Sequence, residues 1–194
     1  MGLEYEKKYR ADRETLNLID NALTEPPCLL EMETTYYDTP EGALSERKIT
    51  LRRRFENGIS VCTLKTPTGT AARGEFQVEQ AEIKDALPEL CKLSGFDALL
   101  SLTSSGIVPV CGAKFTRTAR QIAFGNSTLE VALDRGVLTG GGKELPLYEL
   151  EVELLSGDRA DADLYGKLLA AKFSLSEEKH SKFRRALALA KGDI

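Results

Sequence analysis

The pattern of hydrophobic and polar residues predicts eight β-strands, several from alternation with a period of two and one, at 33–40, from its threonine and tyrosine content. The alternation is clearest at 147–155, where Glu149, Glu151 and Glu153 share one side and leucine, valine and tyrosine the other. Turn signals between successive stretches, such as Asn57-Gly58, favour antiparallel pairing. The predicted strands are 3–10, 33–40, 48–56, 59–65, 73–80, 114–124, 127–138 and 147–155.

Apolar residues spaced three or four positions apart predict helices at the start, middle and end of the chain. The first helix runs from 12 to 23, with Asp12 as its N-cap and Pro26-Pro27 beyond its end. Further helices are predicted at about 84–91, 159–172 and 177–191. The region between 91 and 106 has no clear period. These elements predict an α+β fold in a single domain over residues 1–194.

Composition narrows the kinds of site that the chain could carry. It has 194 residues, a net charge of −4, one histidine and four widely spaced cysteines. Zinc sites and histidine triads are therefore not expected, and a bound metal would have oxygen ligands, which favours magnesium, manganese or calcium. No apolar run approaches the ~20 residues that cross a bilayer, and no signal peptide is visible. A cytoplasmic protein without a membrane partner is expected.

The charged faces of the predicted strands are sorted by sign. Glu4 and Glu6 share a face in the first strand, and Arg52 and Arg54 share a face in the third. A charged strand face usually meets solvent. Here, however, the helices need apolar faces to pack on, and helices outside a curled sheet would leave the charged faces inside.

Opposed acidic and basic walls suit one class of ligand. Arginines bind phosphate oxygens with forked geometry, and carboxylates hold the divalent cations that bridge to the same polyanion. Residues two apart on a strand lie ~6.5–7 Å apart, so Arg52 and Arg54 could each bind a different phosphate group. Arg53 points to the opposite face, which argues against a nucleic-acid surface at this arginine cluster.

An ordered series of short motifs resembles the CYTH, or triphosphate tunnel metalloenzyme, superfamily. E-Y-E-K-K at 4–8 resembles its opening E-x-E-x-K, and the remaining motifs follow in the same order over nearly the whole chain. They are YYDT at 36–39, LRRR at 51–54, LK at 64–65, RGE at 73–75, Arg117, ALDRG at 132–136, ELEVEL at 149–154 and HSK at 180–182.

The resemblance implies a closed eight-stranded antiparallel β-barrel, or tunnel, with helices packed outside. It implies Mg²⁺ or Mn²⁺ and a small triphosphate inside, and the motifs are most similar to those of bacterial inorganic triphosphatases. Thiamine triphosphatases and class IV adenylate cyclases have the same fold. A non-catalytic polyphosphate-binding module is a further alternative. The two acidic strand faces, at 4–6 and 149–153, disfavour it, because a protein that only binds anions gains nothing from carboxylates in the binding site. A homodimer is left open.

The resemblance also assigns roles to individual residues. Catalytic roles fall on Glu4, Glu6 and Lys8. The phosphate path is expected to contain Lys8, Arg52, Arg54, Lys65, Arg73, Arg117 and Lys182. Metal ligands are expected at Glu4, Glu6, Asp134, Glu149 and Glu151. Glu153 is less favoured because it lies further along its strand, and Arg185 is interpreted as a solvated charge on the last helix.

Overall fold

A computed structural model describes residues 5–67 and 73–194, and of Arg73 it describes the backbone alone. The strands are β1 Glu6–Arg10, β2 Cys28–Asp38, β3 Thr50–Glu56, β4 Ile59–Pro67, β5 Arg73–Glu79, β6 Val108–Phe124, β7 Ser127–Gly140, β8 Lys143–Ser156 and β9 Ser176–Glu177. The helices are α1 Arg13–Ala22, α2 Ala43–Glu46, α3 Ile83–Ser94, α4 Ala98–Leu102, α5 Arg159–Phe173 and α6 Lys182–Lys191. The fold is therefore α+β, as predicted.

All eight predicted strands are present, and several are longer than predicted. β2, β6 and β8 begin four to six residues before the predicted starts, because their extra residues pair with neighbouring strands despite weak alternation. Asn57 and Gly58 both have positive φ and join β3 to β4, which confirms the predicted hairpin turn. The short strand β9 and the helix α4 were not predicted.

The strands form one sheet in the order β5-β4-β3-β2-β6-β7-β8-β1-β9, and every recorded pairing is antiparallel. The predicted closed eight-stranded barrel is not found. Within the described residues, β5 and β9 are the two ends of a nine-stranded sheet and do not pair. The free edge of β1, where a closing strand would have to pair, is partly taken by β9, which pairs with Tyr9 and Arg10.

The outer face of the sheet is apolar and is covered by helices at both ends. Under α3 and α4, Leu51, Cys62 and Leu64 pack against helix residues that include Leu90 and Leu99. A second cluster lies under α1 and α5, and its members include Leu16, Ile19, Leu133, Leu150, Val152 and Leu169. These two clusters confirm that the strands turn their apolar faces outward, toward the helices. None of the helices in the described ranges is long and apolar enough to cross a membrane.

The C-terminal helix α6 contradicts the expectation that all helices pack outside. It lies against the inner face, where Ala186 packs with Phe115, Leu138 and Leu147 in a third apolar cluster. A Cβ atom on Gly140 would lie 2.6 Å from the carbonyl oxygen of Ala186, so the missing side chain permits the close approach of helix and strand. The inner face is apolar at this end and charged at the other, and α6 covers the apolar end.

Candidate functional site

The strand register places the predicted charged residues on one face of the sheet. Lys8 lies opposite Glu151, and Arg117 lies opposite Asp134, which in turn lies opposite Glu149. The charged residues of this inner face include Glu6, Lys8, Arg10, Arg52, Arg54, Lys65, Arg117, Glu130, Asp134, Glu149, Glu151 and Glu153. Arg53 points outward as predicted, where it donates to the carbonyl oxygen of Ala81.

The sheet is curved enough to bring its two walls together. Arg54 on β3 and Glu151 on β8 are separated by β2, β6 and β7, and in a flat sheet their strands would lie about 19 Å apart. Nevertheless, two adjacent residues of α6 reach both sides of this span, because Phe183 packs on Tyr36 of β2 with ring centroids 5.0 Å apart and Lys182 donates to Glu149 of β8. The pKa of Arg54 is lowered mainly by burial and by Arg52, and the charges of Arg117 and Glu151 also act on it. The inner face is therefore concave, and the basic residues of β3 lie within electrostatic range of the acidic residues of β8.

The acidic wall contains a compact group of three buried carboxylates, defined here as the carboxylate triad. Its members are Asp134, Glu149 and Glu151, and one oxygen of each lies within 4.8 Å of the others. Carboxylates at this spacing could share a metal ion. The ammonium of Lys182 donates to all three, at 2.8 Å from Asp134 and 2.6 Å from Glu151. The ammonium of Lys182 therefore occupies the position that a metal ion would take if the carboxylate triad bound one.

Two arginines complete the neutralisation of this group. Arg117 binds Asp134 in a bidentate manner, with both N–O distances at 2.8 Å, and also donates to Glu151. Arg185 of α6 donates to Glu149. Three cations thus face three carboxylates, and the buried charges are paired as burial requires. Arg185 is only 14% exposed in its side chain, so the interpretation of this residue as a solvated helix charge was wrong.

Burial and pairing shift the acid–base properties of the carboxylate triad. Burial raises the pKa of Glu149 to about 7, against the opposing charges of Lys182 and Arg185. For Glu151, burial also acts to raise the pKa, but the charges of Lys182 and Arg117 outweigh it and hold the pKa well below its usual value. Burial acts to lower the pKa of Lys182, and the surrounding carboxylates, led by Asp134, raise it instead. Lys182 therefore remains charged at neutral pH.

A second group of carboxylates crosses three neighbouring strands and is defined here as the carboxylate row. Glu130 on β7 lies opposite Glu153 on β8, which lies opposite Glu6 on β1. Lys8 donates to Glu6 at 2.6 Å, and Arg117 approaches Glu130 at 3.9 Å. Burial, aided by neighbouring carboxylates, raises the pKa of Glu130 despite the opposing charge of Arg117. Like charges directly opposite one another are destabilising in a sheet unless a cation lies between them.

The basic wall comes from β3 and β4. Arg52 and Lys65 both donate to Glu75 on β5, at 3.3 Å and 2.8 Å. Arg54 donates a weak hydrogen bond, at 3.4 Å, to the hydroxyl of Thr34. Burial and the neighbouring charge of Arg52 lower the pKa of Arg54 to about 10. Burial makes the charged form of Arg54 unfavourable, and an anionic ligand would offset this free-energy cost. Arg54 is therefore suited to bind an anion.

The structure brings together most of the predicted site residues. Lys8, Arg117 and Lys182 meet the acidic wall, and the arginines of β3 with Lys65 form the basic wall. The predictions for Glu4 and for the side chain of Arg73 lie outside the described part of the chain. Sequence reasoning missed Arg185 and the buried Glu178, whose carboxylate lies 3.5 Å from Arg185. Arg185 could have been found from its spacing, because it lies three residues after Lys182 and so on the same side of a helix.

The described residues thus form an antiparallel sheet whose charged inner face has an acidic wall and a basic wall. Comparison with known proteins identifies the family. The CYTH domain matches residues 2–187, and the chain belongs to this family. An inorganic triphosphatase from Haemophilus influenzae is 32% identical over 164 residues, which are 82% of this chain and 46% of that protein. The chain therefore spans about half the length of this curated relative.

Solved structures show the same fold. The protein PH1819 from Pyrococcus horikoshii is 22% identical and superposes with a TM-score of 0.63, covering 97% of this chain and 99% of its own. HpAC1 from Hippeastrum, a proposed adenylyl cyclase with a dominant triphosphatase activity, is 19% identical with a TM-score of 0.61. That match covers 100% of this chain and 96% of HpAC1. At such identities the two structures support the fold alone.

Proposed function

We propose that this chain is a metal-dependent triphosphatase that hydrolyses a phosphoanhydride bond of inorganic triphosphate or another small triphosphate. One observation carries the proposal: a basic wall of Arg52, Arg54 and Lys65 faces an acidic wall across a single concave surface. The similarity to a curated inorganic triphosphatase supports the same substrate class. The proposal includes an enclosed channel around the substrate, which is supported by the partial burial of Arg54 and by burial as the main cause of its lowered pKa.

The carboxylate row fits a divalent cation. Its oxygens suit Mg²⁺ or Mn²⁺, and a cation would relieve the repulsion between carboxylates placed directly opposite one another. Glu6 and Glu153 would hold this ion, and Glu4 remains a predicted further ligand. When bound, the ion would neutralise charge on the phosphate oxygens.

The carboxylate triad would hold an ion only after Lys182 has left it. Asp134 and Glu149 are therefore weaker candidates as metal ligands than the carboxylate row, and Glu151 lies between the two groups. In the paired state, the carboxylate triad instead orients Lys182 and Arg117. These two cations, with Lys8, would bind phosphate oxygens from the acidic side of the channel.

The chemistry at this site is the attack of water on a terminal phosphorus. The new P–O bond forms as the anhydride P–O bond breaks, giving orthophosphate and diphosphate. Glu130 is suited to accept the proton of the attacking water, because burial raises its pKa. Arg52 and Arg54 would stabilise the negative charge that accumulates on the departing diphosphate.

A substrate panel tests the proposal directly. Purified protein would be incubated with tripolyphosphate, thiamine triphosphate and ATP, with Mg²⁺ or Mn²⁺, and all products would be identified. Release of orthophosphate from tripolyphosphate is the expected result. Cyclic AMP and diphosphate from ATP would indicate a cyclase instead. Tight binding of tripolyphosphate without turnover under any of these conditions would indicate a binding module.

A further inference from the structure

Glu178 is a buried carboxylate at the beginning of the segment that leads into α6. Its side chain is 1% exposed, and its two oxygens accept hydrogen bonds from different parts of the chain. One oxygen accepts from the backbone N–H of His180 at 2.7 Å, and the other accepts from Arg10 and lies 3.5 Å from Arg185. The backbone N–H of Glu178 donates to the carbonyl oxygen of Lys8 at 2.7 Å. Glu178 therefore ties β1 to the start of α6.

Arg185 links this carboxylate to the acidic wall. One of its terminal nitrogens contacts Glu178 and the other donates to Glu149, so the guanidinium lies between the two carboxylates. Its Nε is buried and has no hydrogen-bond partner within the described residues, so these two carboxylates hold the guanidinium. Lys182 lies one turn earlier on α6 and donates to the same Glu149. The positions of Lys182 and Arg185 at the acidic wall therefore depend on how α6 is anchored.

Long cationic side chains lose conformational freedom when they are held in one geometry. A charge-assisted hydrogen bond from a second carboxylate offsets that loss and fixes the direction of the guanidinium. Glu178 provides this second carboxylate and, through the bond to His180, also shapes the turn that precedes Lys182. The adjacent Glu177 differs, because its side chain is 51% exposed and lies 3.6 Å from Lys7, at the surface.

We propose that Glu178 is a positioning residue for triphosphate binding, which anchors α6 so that Arg185 and Lys182 stay at the acidic wall. This inference rests on the proposed function. Glu178 itself would not touch the substrate. Its loss would leave the catalytic carboxylates in place but let the two cations of α6 move, so that binding of the polyanion would weaken more than turnover.

Three variants test the role of Glu178: Glu178→Gln removes the charge, Glu178→Asp keeps it, and Glu177→Gln is the matched control. Hydrogen exchange of a peptide covering 182–191 reports on α6 without any need for activity. Tripolyphosphate binding is measured by calorimetry without metal, and KM and kcat are measured with Mg²⁺. For Glu178→Gln we expect faster exchange in α6, about tenfold weaker binding and higher KM, and a kcat within about twofold of the parent.

Glu178→Asp should recover part of the lost affinity, and Glu177→Gln should match the parent in every measurement. The proposal is overturned if Glu178→Gln leaves exchange and affinity unchanged. It is also overturned if exchange rises throughout the sheet and kcat falls with affinity, because Glu178 would then act on the whole fold. If the parent chain hydrolyses no triphosphate, the proposed function fails, whereas metal-free binding and exchange still decide the role of Glu178.

Discussion

Replacing Lys182 by methionine removes the central cation from the carboxylate triad while keeping most of the apolar length of the side chain. Lys182 is buried and donates to three carboxylates, two of which are completely inaccessible to solvent. Arg117 and Arg185 would remain, so three buried negative charges would face two positive charges. Breaking a buried ion pair by removing one partner costs about 3–5 kcal/mol, because the remaining charge is not compensated.

The size of this loss should depend on pH, because Glu149 can take up a proton. In the parent chain, burial raises the pKa of Glu149 from 4.5 to about 7. A folded-state pKa above the unfolded value means that stability falls as pH rises from 4.5 to 7. Without Lys182 the pKa rises further, so this decline extends to higher pH than in the parent. Its limiting slope for one proton is about 1.4 kcal/mol per pH unit.

Urea denaturation followed by circular dichroism, at pH 6 and pH 8 in the presence of EDTA, measures both effects. EDTA is needed because a divalent ion could replace the lost ammonium. Lys179→Met is the control, since Lys179 is exposed on the segment before α6. We expect the free energy of unfolding of Lys182→Met to fall by about 3–5 kcal/mol at pH 8 and by less at pH 6. A fall below about 1 kcal/mol at pH 8, or an equal fall at both values, would refute the reasoning.

Three further changes test other parts of the site. Glu153→Gln should lower kcat by roughly a hundredfold or more without lowering Tm, whereas Glu144→Gln on the same strand should leave kcat unchanged. If the two variants had equal kcat values, the carboxylate row would not be the metal site. Arg54→Met should raise KM for tripolyphosphate about tenfold, because a phosphate contact is lost, whereas Arg53→Met on the opposite face should leave KM unchanged. Arg54→Met should also raise the free energy of unfolding, because burial disfavours the charge of Arg54. Gly136→Ala should lower the free energy of unfolding, measured in urea, by about 2–3 kcal/mol, because the new Cβ would lie 2.1 Å from the carbonyl oxygen of Lys114. An unchanged urea midpoint would show that β6 and β7 can move apart to accept the methyl group.

Alternation along single strands was sufficient to predict which side chains share a face. Arg52 and Arg54 point inward and Arg53 outward, and Glu149 and Glu151 share the inner face, as the period of two requires. The inward direction could also be predicted, because helices cover apolar faces and two of the three apolar clusters lie beneath outer helices. These properties depend on residues close together in the chain, so they can be read from the sequence.

The lateral arrangement of the strands could not be predicted in the same way. Glu153 was less favoured as a ligand because of its position along β8, yet the register places it directly opposite Glu6. Similarly, the pattern of α6 shows which of its faces is apolar, but not which side of the sheet will receive that face. The inner location of α6 places Lys182 among the carboxylates and makes Arg185 part of the site.

The sequence by itself therefore determined the family, eight of the strands and the sorting of charge between their faces. The tertiary structure alone decided which carboxylates neighbour one another, which of them are already neutralised by lysine or arginine, and whether the sheet closes on itself. The physical reason is that alternation acts over two residues, whereas register, sheet curvature and the anchoring of α6 depend on contacts between segments far apart in the chain. Glu178 and Arg10, 168 residues apart, are one such contact.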